Sequence, residues 1–237
     1  VSSKLIDRTL QSAPFTPRDR SETANRVVNV AIAVIALVLL LPILVLIALA
    51  VRLTSRGPVL YTQERVGQDR RRRERRAKPR DGGADRRQGN VGGRTFHIIK
   101  FRSMYVDAES RTGAVWATKN DPRVTPVGGF LRKTRLDELP QLINVIRGDM
   151  NIVGPRPERP SLFAQLRENI DGYPLRQRAR PGITGWAQIN QAYDTCLDDV
   201  RTKVELDLEY LQRQSVFEDL KIMARTLPVM VMRKGSQ

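Results

Sequence analysis

A chain of 237 residues with 41% hydrophobic and 28% charged side chains has enough apolar material for a packed core, which excludes wholesale disorder. A formal net charge of +16 calls for anionic partners: acidic lipid head groups, phosphorylated substrates or nucleic acid. One cysteine, Cys196, excludes an intrachain disulfide, and one histidine, His97, excludes a zinc site built from several His or Cys within one chain; any metal must be an oxygen-bound ion such as magnesium or manganese.

Residues 1–26 are polar, carry Pro14 and Pro17, and read as a loose arm. Residues 27–53 read as a membrane helix. Its apolar run, residues 27–51, is interrupted by Asn29 and Pro42, and at about 1.5 Å per residue it is long enough to cross a bilayer. It is too long for a cleaved signal peptide, and Arg52 and Arg56 follow at once. A kinked spanning helix and a re-entrant helix that enters and leaves on one face both fit. Pro42 removes a hydrogen bond in mid-run and favours the bend. Positive charge flanks both ends, Arg18, Arg20 and Arg26 before, Arg52, Arg56 and Arg65 after, which favours a cytoplasmic position for both.

Residues 54–237 read as one domain carrying a basic insertion over residues 68–93. The Gly57-Pro58 turn leads into a strand-like run ending at Gly67. Between Asp69 and Gly93 there are ten Lys/Arg against four Asp/Glu, with many glycines and no apolar period. Docking on anionic lipid fits this loop, and so does a plain solvated insertion. It lacks the aromatic residues that stack nucleic-acid bases, so no nucleic acid is expected. Thr95-Phe96-His97-Ile98-Ile99-Lys100-Phe101 reads as a strand with His97 on one face. Gly128-Gly129 opens a basic helical patch. Leu139, Leu142, Ile143 and Ile146 fall on one helical face that Gly148 terminates. Two amphipathic helices follow over residues 197–211 and 216–226. The expected fold is a mixed α/β, helix-rich domain with a small sheet.

The chemistry concentrates at Leu136-Asp137-Glu138-Leu139-Pro140-Gln141-Leu142. Proline is tolerated in the first turn of a helix, which places Asp137 at or near an N-cap, where free amides and the helix dipole stabilise a carboxylate or a phosphate. Taken alone, Asp is among the commonest caps and an Asp-Glu pair is ordinary on a surface. The surroundings change the balance: Lys100, Arg102, Arg123, Arg132, Arg135, Arg147 and Arg156 all lie near turns or element ends. A nucleophilic carboxylate, a divalent ion and several arginines together suit phosphoryl transfer.

Five ordered segments carry a resemblance: Lys100-Phe101-Arg102-Ser103-Met104, Leu136-Asp137-Glu138-Leu139-Pro140-Gln141, Arg147-Gly148-Asp149-Met150, Val153-Gly154-Pro155-Arg156-Pro157-Glu158 and Arg180-Pro181-Gly182-Ile183-Thr184-Gly185-Trp186. In these the chain closely resembles the bacterial sugar transferases, the monotopic phosphoglycosyl transferases, from about Arg26 onward apart from the basic loop. The resemblance implies transfer of sugar-1-phosphate from a UDP-sugar to a polyprenyl phosphate such as undecaprenyl phosphate, with release of UMP through a phosphosugar-aspartate intermediate. It implies Asp137 as nucleophile, with Glu138 and Asp137 holding Mg2+. The implied substrate and phosphate contacts are Lys100, Arg102, Arg123, Arg132, Pro155, Arg156, Pro157, Arg180, Gly182 and Thr184. It further implies the cytoplasmic face of the bacterial inner membrane, anionic lipids as neighbours and compatibility with a homo-oligomer. Two features depart from the family pattern. Leu41 stands where small members carry a serine before the helix-breaking proline, and the arginine-rich run interrupts a connection expected to be short. Larger relatives carry extra transmembrane helices ahead of this part, so the resemblance points to a minimal form.

Overall fold

The computed structural model describes residues 15–69, 93–106, 108, 121–191 and 196–231. The arginine-rich run, like the first fourteen residues of the arm, lies outside them.

The long helix α1 (Glu22–Thr54) starts five residues before the apolar run, because Ser21 caps it: the Ser21 hydroxyl accepts from the Ala24 amide at 3.3 Å and Glu22 sits in the first turn. The arm ahead of it is not loose from Phe15 onward. Phe15 is buried in the core, the Arg18 amide donates to the Leu211 carbonyl at 2.9 Å, and Arg20 pairs with Asp219 at 3.2 Å.

One stripe of α1 is buried in two stretches, one toward each end of the helix. Asn25, Asn29 and Ala33 in the first half and Ile47 and Val51 in the second are below 9% exposure, with Ala36, Leu37, Leu44 and Ala48 packed between them. The opposite face presents Val38, Leu39, Leu46 and Leu53 at 66–83% exposure. The polar interruption Asn29 is structural. Its side chain donates to the Asn25 carbonyl at 2.8 Å and accepts from the Ile152 amide at 2.7 Å, tying the helix to the catalytic body. Pro42 lies inside the helix and leaves the Val38 carbonyl without its usual donor.

Among the described residues there are two small sheets in place of one, each of two strands. Strands β1 (Leu60–Val66) and β2 (Thr95–Phe101) pair antiparallel in a register that sets Tyr61 opposite Lys100. Strands β3 (Asn151–Val153) and β4 (Gly182–Thr184) pair in parallel. Between the sheets come α2 (Pro126–Thr134), a 3-10 turn (Leu136–Glu138) and α3 (Gln141–Arg147). The core is completed by α4 (Pro160–Asn169), a 3-10 helix (Tyr173–Arg178), α5 (Trp186–Asn190), α6 (Leu197–Arg213) and α7 (Val216–Val231). Tyr173, Val204, Tyr210, Leu211 and Ile222 are at its centre.

The buried face of α3 is only in part the one its apolar residues suggest. Gln141, Leu142, Asn144 and Val145 face inward, and Ile143 and Ile146 are half-buried. Asn144 takes the deepest position because its amide completes the edge of β2: it accepts from the Ile99 amide at 3.0 Å and donates to the His97 carbonyl at 2.8 Å. Gly148 ends the helix at φ 90°, as expected. The Arg26 guanidinium reaches from α1 to the carbonyls of Val145 and Ile146, a cation at the negative end of the helix.

Candidate active site

The site is built where α2 hands over to α3. Thr125 caps α2, accepting from the Gly128 amide at 2.9 Å, with Pro126 in the first turn. Helix α2 ends at Arg135, which adopts φ 60°, ψ 12° and is the one left-handed residue other than glycine among the described residues. That conformation costs about 1 kcal/mol for a side-chain-bearing residue. It turns the chain sharply, so that Asp137 and Glu138 fall in the 3-10 turn, both at 7% exposure. Pro140 is itself the N-cap of α3. Asp137 therefore stands three residues ahead of the cap, and the placement at or near an N-cap is corrected: its Oδ1 is buried without a hydrogen-bond partner.

Glu138 is the hub. Lys100 on β2 donates to its Oε1 at 3.0 Å. Arg156, from the Pro155-Arg156-Pro157 turn, grips both oxygens, at 2.6 Å to Oε1 and 3.3 Å to Oε2. Arg135 lies 3.9 Å away. Burial alone would raise the pKa of Glu138, but Arg156, Lys100 and Arg135 hold it well below its ordinary value. Burial also pulls Lys100 down, with Glu138 acting against it. Asp137 is treated in the opposite way. Burial, then the adjacent charge of Glu138, push it up to about 6, and the more distant Lys100, Arg156 and Arg132 only partly compensate. One carboxylate is neutralised by three cations, and its neighbour is left with a raised pKa and an Oδ1 that has no partner.

The other expected residues divide. Arg132 acts on Asp137 through its charge. Pro155 and Pro157 frame Arg156 and line a shallow open cleft that also includes Gly67, Phe163 and Gln177. Arg102 serves the scaffold: its guanidinium donates to the Ser55 and Arg56 carbonyls at 2.8 Å and caps the end of α1. Arg123 chelates the buried Asp121, and this pairing holds the Asp121 carboxyl down at about 2. Arg180 pairs with Glu22 at 3.4 Å. Gly182 and Thr184 belong to β4, and the Thr184 hydroxyl meets that of Thr226 at 2.9 Å. The glycines of this motif allow backbones to touch: a Cβ on Gly182 would lie 2.1 Å from the Gly154 nitrogen, and one on Gly185 2.3 Å from the Gly154 oxygen.

Sequence reasoning missed Gln188. Its Oε1 accepts from Arg156 Nη1 at 3.2 Å, which fixes the amide so that Nε2 is a buried donor without a protein partner. An amide on a five-residue helix has no local signal; only the tertiary meeting with Arg156 marks it.

Among the described residues no group of three or more His, Cys, Asp or Glu is arranged to hold a metal. Glu138 has both oxygens in ion pairs, whereas Asp137 keeps one oxygen without a partner. This donor set fits a magnesium ion whose other ligands are substrate phosphates and water, and does not fit a cage made by protein alone.

Two outcomes follow for the dyad. Below about pH 6, kcat/KM should fall tenfold per pH unit as Asp137 takes up its proton. In Glu138→Gln the like charge is gone and Lys100 and Arg156 are released, so the acid limb should move down toward the ordinary Asp value of 3.8. An unmoved limb in a pH–rate profile would assign the titration to another group. The second outcome concerns stability. Asp137 titrates near 6 when folded against 3.8 in its ordinary state, so the folded form binds the proton more tightly. The stability this contributes is present at low pH and lost as pH rises through about 6. The ionised carboxylate then costs on the order of 1–3 kcal/mol at neutral pH. Asp137→Asn should melt higher than wild type near neutrality and lose that advantage by about pH 4, as thermal unfolding followed across pH would report.

Comparisons with known proteins identify the family. The family profile described as bacterial sugar transferase matches residues 20–75 and 83–233. The gap between the two stretches falls inside the arginine-rich run. The chain is 44% identical over 204 residues to the UDP-glucose:undecaprenyl-phosphate glucose-1-phosphate transferase of Escherichia coli (strain K12), covering 85% of this chain and 39% of that protein. It is 37% identical over 212 residues to the UDP-N-acetylgalactosamine-undecaprenyl-phosphate N-acetylgalactosaminephosphotransferase of Aeromonas hydrophila, covering 90% of this chain and 44% of that protein. With a Caulobacter vibrioides protein named as a UDP-glucose:undecaprenyl-phosphate glucose-1-phosphate transferase it shares 36% identity over 229 residues, 96% of this chain and 76% of the relative. The chain thus spans about two fifths of the length of the first two relatives. The five motifs, the dyad in its cationic setting and a match over most of the described length converge: the chain belongs to the bacterial sugar transferase family.

Proposed function

We propose that this chain transfers a sugar-1-phosphate from a UDP-sugar to undecaprenyl phosphate, or a similar polyprenyl phosphate, as the first membrane step of polysaccharide or glycoconjugate synthesis. The observation that carries the reading is the division of labour in the dyad, Glu138 held by Lys100, Arg135 and Arg156 beside an Asp137 whose Oδ1 has no partner. An oxygen of Asp137 attacks the phosphorus bonded to the sugar, and the bond to the bridging oxygen breaks, so that UMP leaves with the electron pair. An oxygen of the lipid phosphate then attacks the same phosphorus and releases Asp137. Arg156 and Lys100 are already gathered at the site and can shift from Glu138 toward the diphosphate as it binds, offsetting charge without reorganising the backbone. Asp137 and Glu138 are the residues that would hold Mg2+, which would supply further charge compensation.

The named donors of the relatives differ, glucose in one and N-acetylgalactosamine in another. The test is therefore UMP release by the detergent-solubilised chain from a panel containing both UDP-sugars, with undecaprenyl phosphate and magnesium. Turnover that needs the lipid and disappears in Asp137→Asn is expected. Release that survives the substitution would remove Asp137 as nucleophile, and a folded protein that releases UMP from no donor would sink the reading.

The same reading sets the site at the head-group level of the bacterial inner membrane, on its cytoplasmic face, with α1 re-entrant. Support comes from the buried stripe of α1. Packing on the catalytic body stops only between Leu37 and Leu44, around Pro42. That interval is about 10 Å of helix, against roughly 30 Å of hydrocarbon. In a Cys196→Ser background, single cysteines replacing Asp19 and Arg56 should both escape a membrane-impermeant thiol reagent in intact cells and both react after lysis. Labelling of one site alone in intact cells would establish a spanning helix.

A further inference from the structure

Arg156 is delivered to the dyad by a turn with few amide donors of its own, since Pro155 and Pro157 have none. Its four successive carbonyls all accept hydrogen bonds from outside the turn. The Pro155 carbonyl accepts from the Gly182 amide at 3.0 Å and the Glu158 carbonyl from the Val66 amide at 2.9 Å. The two carbonyls between them are held by side chains: Arg176 Nη2 donates to the Arg156 carbonyl at 3.2 Å, and Arg65 Nη1 to the Pro157 carbonyl at 3.2 Å.

These are costly devices. Arg176 is 3% exposed and needs Asp207, 2% exposed, at 2.6 Å to balance its charge, with Glu158 at 3.6 Å and the Tyr173 hydroxyl at 2.9 Å. Glu158 in turn pairs with Lys203 at 2.7 Å. Buried ion clusters of this kind contribute little net stability compared with well-packed apolar side chains, and their best-supported use is to fix one geometry among several. Here the geometry they fix is that of the backbone bearing Arg156. Arg65 also feels the charges of Glu138 and Arg156 directly, but the hydrogen bonds that Arg65 and Arg176 give to this region go to the carbonyls of the turn.

We propose that Arg65 and Arg176 are positioning residues that clamp the Pro155-Arg156-Pro157-Glu158 turn by its carbonyls and so set the guanidinium of Arg156 against the reacting phosphate. The inference rests on the phosphoryl-transfer reading above. Its signature is dependence on Arg156. Arg176→Lys keeps the charge that balances Asp207 and Glu158 but loses the fork that reaches the carbonyl. A misplacement of about 1 Å in a site of this kind lowers turnover about a hundredfold, so a fall in kcat of roughly ten- to a hundredfold with a smaller change in KM for the donor is expected.

The deciding experiment is a double-mutant cycle on the full chain, measuring UMP release at saturating UDP-sugar for wild type, Arg176→Lys, Arg156→Gln and the double variant. The clamp predicts that the Arg176→Lys loss shrinks to less than about twofold once Arg156 is gone. Equal losses in both backgrounds, the behaviour of a residue that merely supports folding, would overturn it, as would full activity in Arg176→Lys. Arg65→Lys, run through the same cycle, decides the matter if Arg176→Lys does not fold. A wild-type protein that releases no UMP would overturn the functional reading and the clamp with it. Activity in wild type with additive losses overturns the clamp alone.

Discussion

Three cations from three separate parts of the chain converge on one carboxylate. Lys100 comes from the antiparallel pair, Arg135 from the left-handed turn after α2, and Arg156 from the turn that follows β3. None of these elements is large. Two strands alone are marginal in water, and β3 and β4 have three residues each. Glu138 is what brings them to a common point, and it is buried deeply enough that its charge could not stand without them. The same arrangement leaves Asp137, one residue away, with cations at a distance and no donor on Oδ1. Compensation of one acid and neglect of its neighbour are two results of a single geometry.

The long helix takes part in this arrangement. Its C-terminal end is capped by Arg102, two residues after Lys100, and its N-terminal half supplies Arg26 to the end of α3 and Asn29 to β3. Arg26 and Asn29 place polar groups of an apolar helix on backbone atoms of the body, and Arg102 places a side chain of the body on carbonyls at the end of the helix. Position is thereby passed from α1 to β2, α3 and β3, which are the elements on either side of the dyad.

The dyad, Lys100, Arg156 and the turn around it were legible in the sequence because their motifs are local and their chemistry is specific to phosphates. The extent of α1 was misjudged because Ser21 and Glu22 are polar, and polarity was read as the end of the helix when it was the cap. Arg102, Arg123 and Arg180 were grouped with the phosphate contacts through the resemblance, and the sequence could not show the structural partner that each of them also has. A guanidinium that caps a helix, chelates Asp121 or pairs with Glu22 looks the same in a string of letters, since the difference lies in partners far away in the chain. The face of α3 was legible only in part, in Leu142 and Ile146, for a related reason: Asn144 is buried because β2 presents an unpaired edge there, and no periodicity reveals an unpaired edge. The same limit hid Gln188 and Arg176, whose roles exist only where distant segments meet.

The polar contacts made by α1 bear on how the anchor can be handled. A membrane anchor that only holds an enzyme at a surface can be cut away or exchanged for another. Here, removal of α1 would uncover Ile98, Leu142, Val145 and Met150, strip the Ile152 amide of its acceptor and free the carbonyls at the end of α3. An unrelated apolar segment would cover the first of these losses and none of the others. Helix α1 is part of the folding unit, and a shortened version of this domain would have to be designed around a substitute for its inner stripe rather than obtained by truncation.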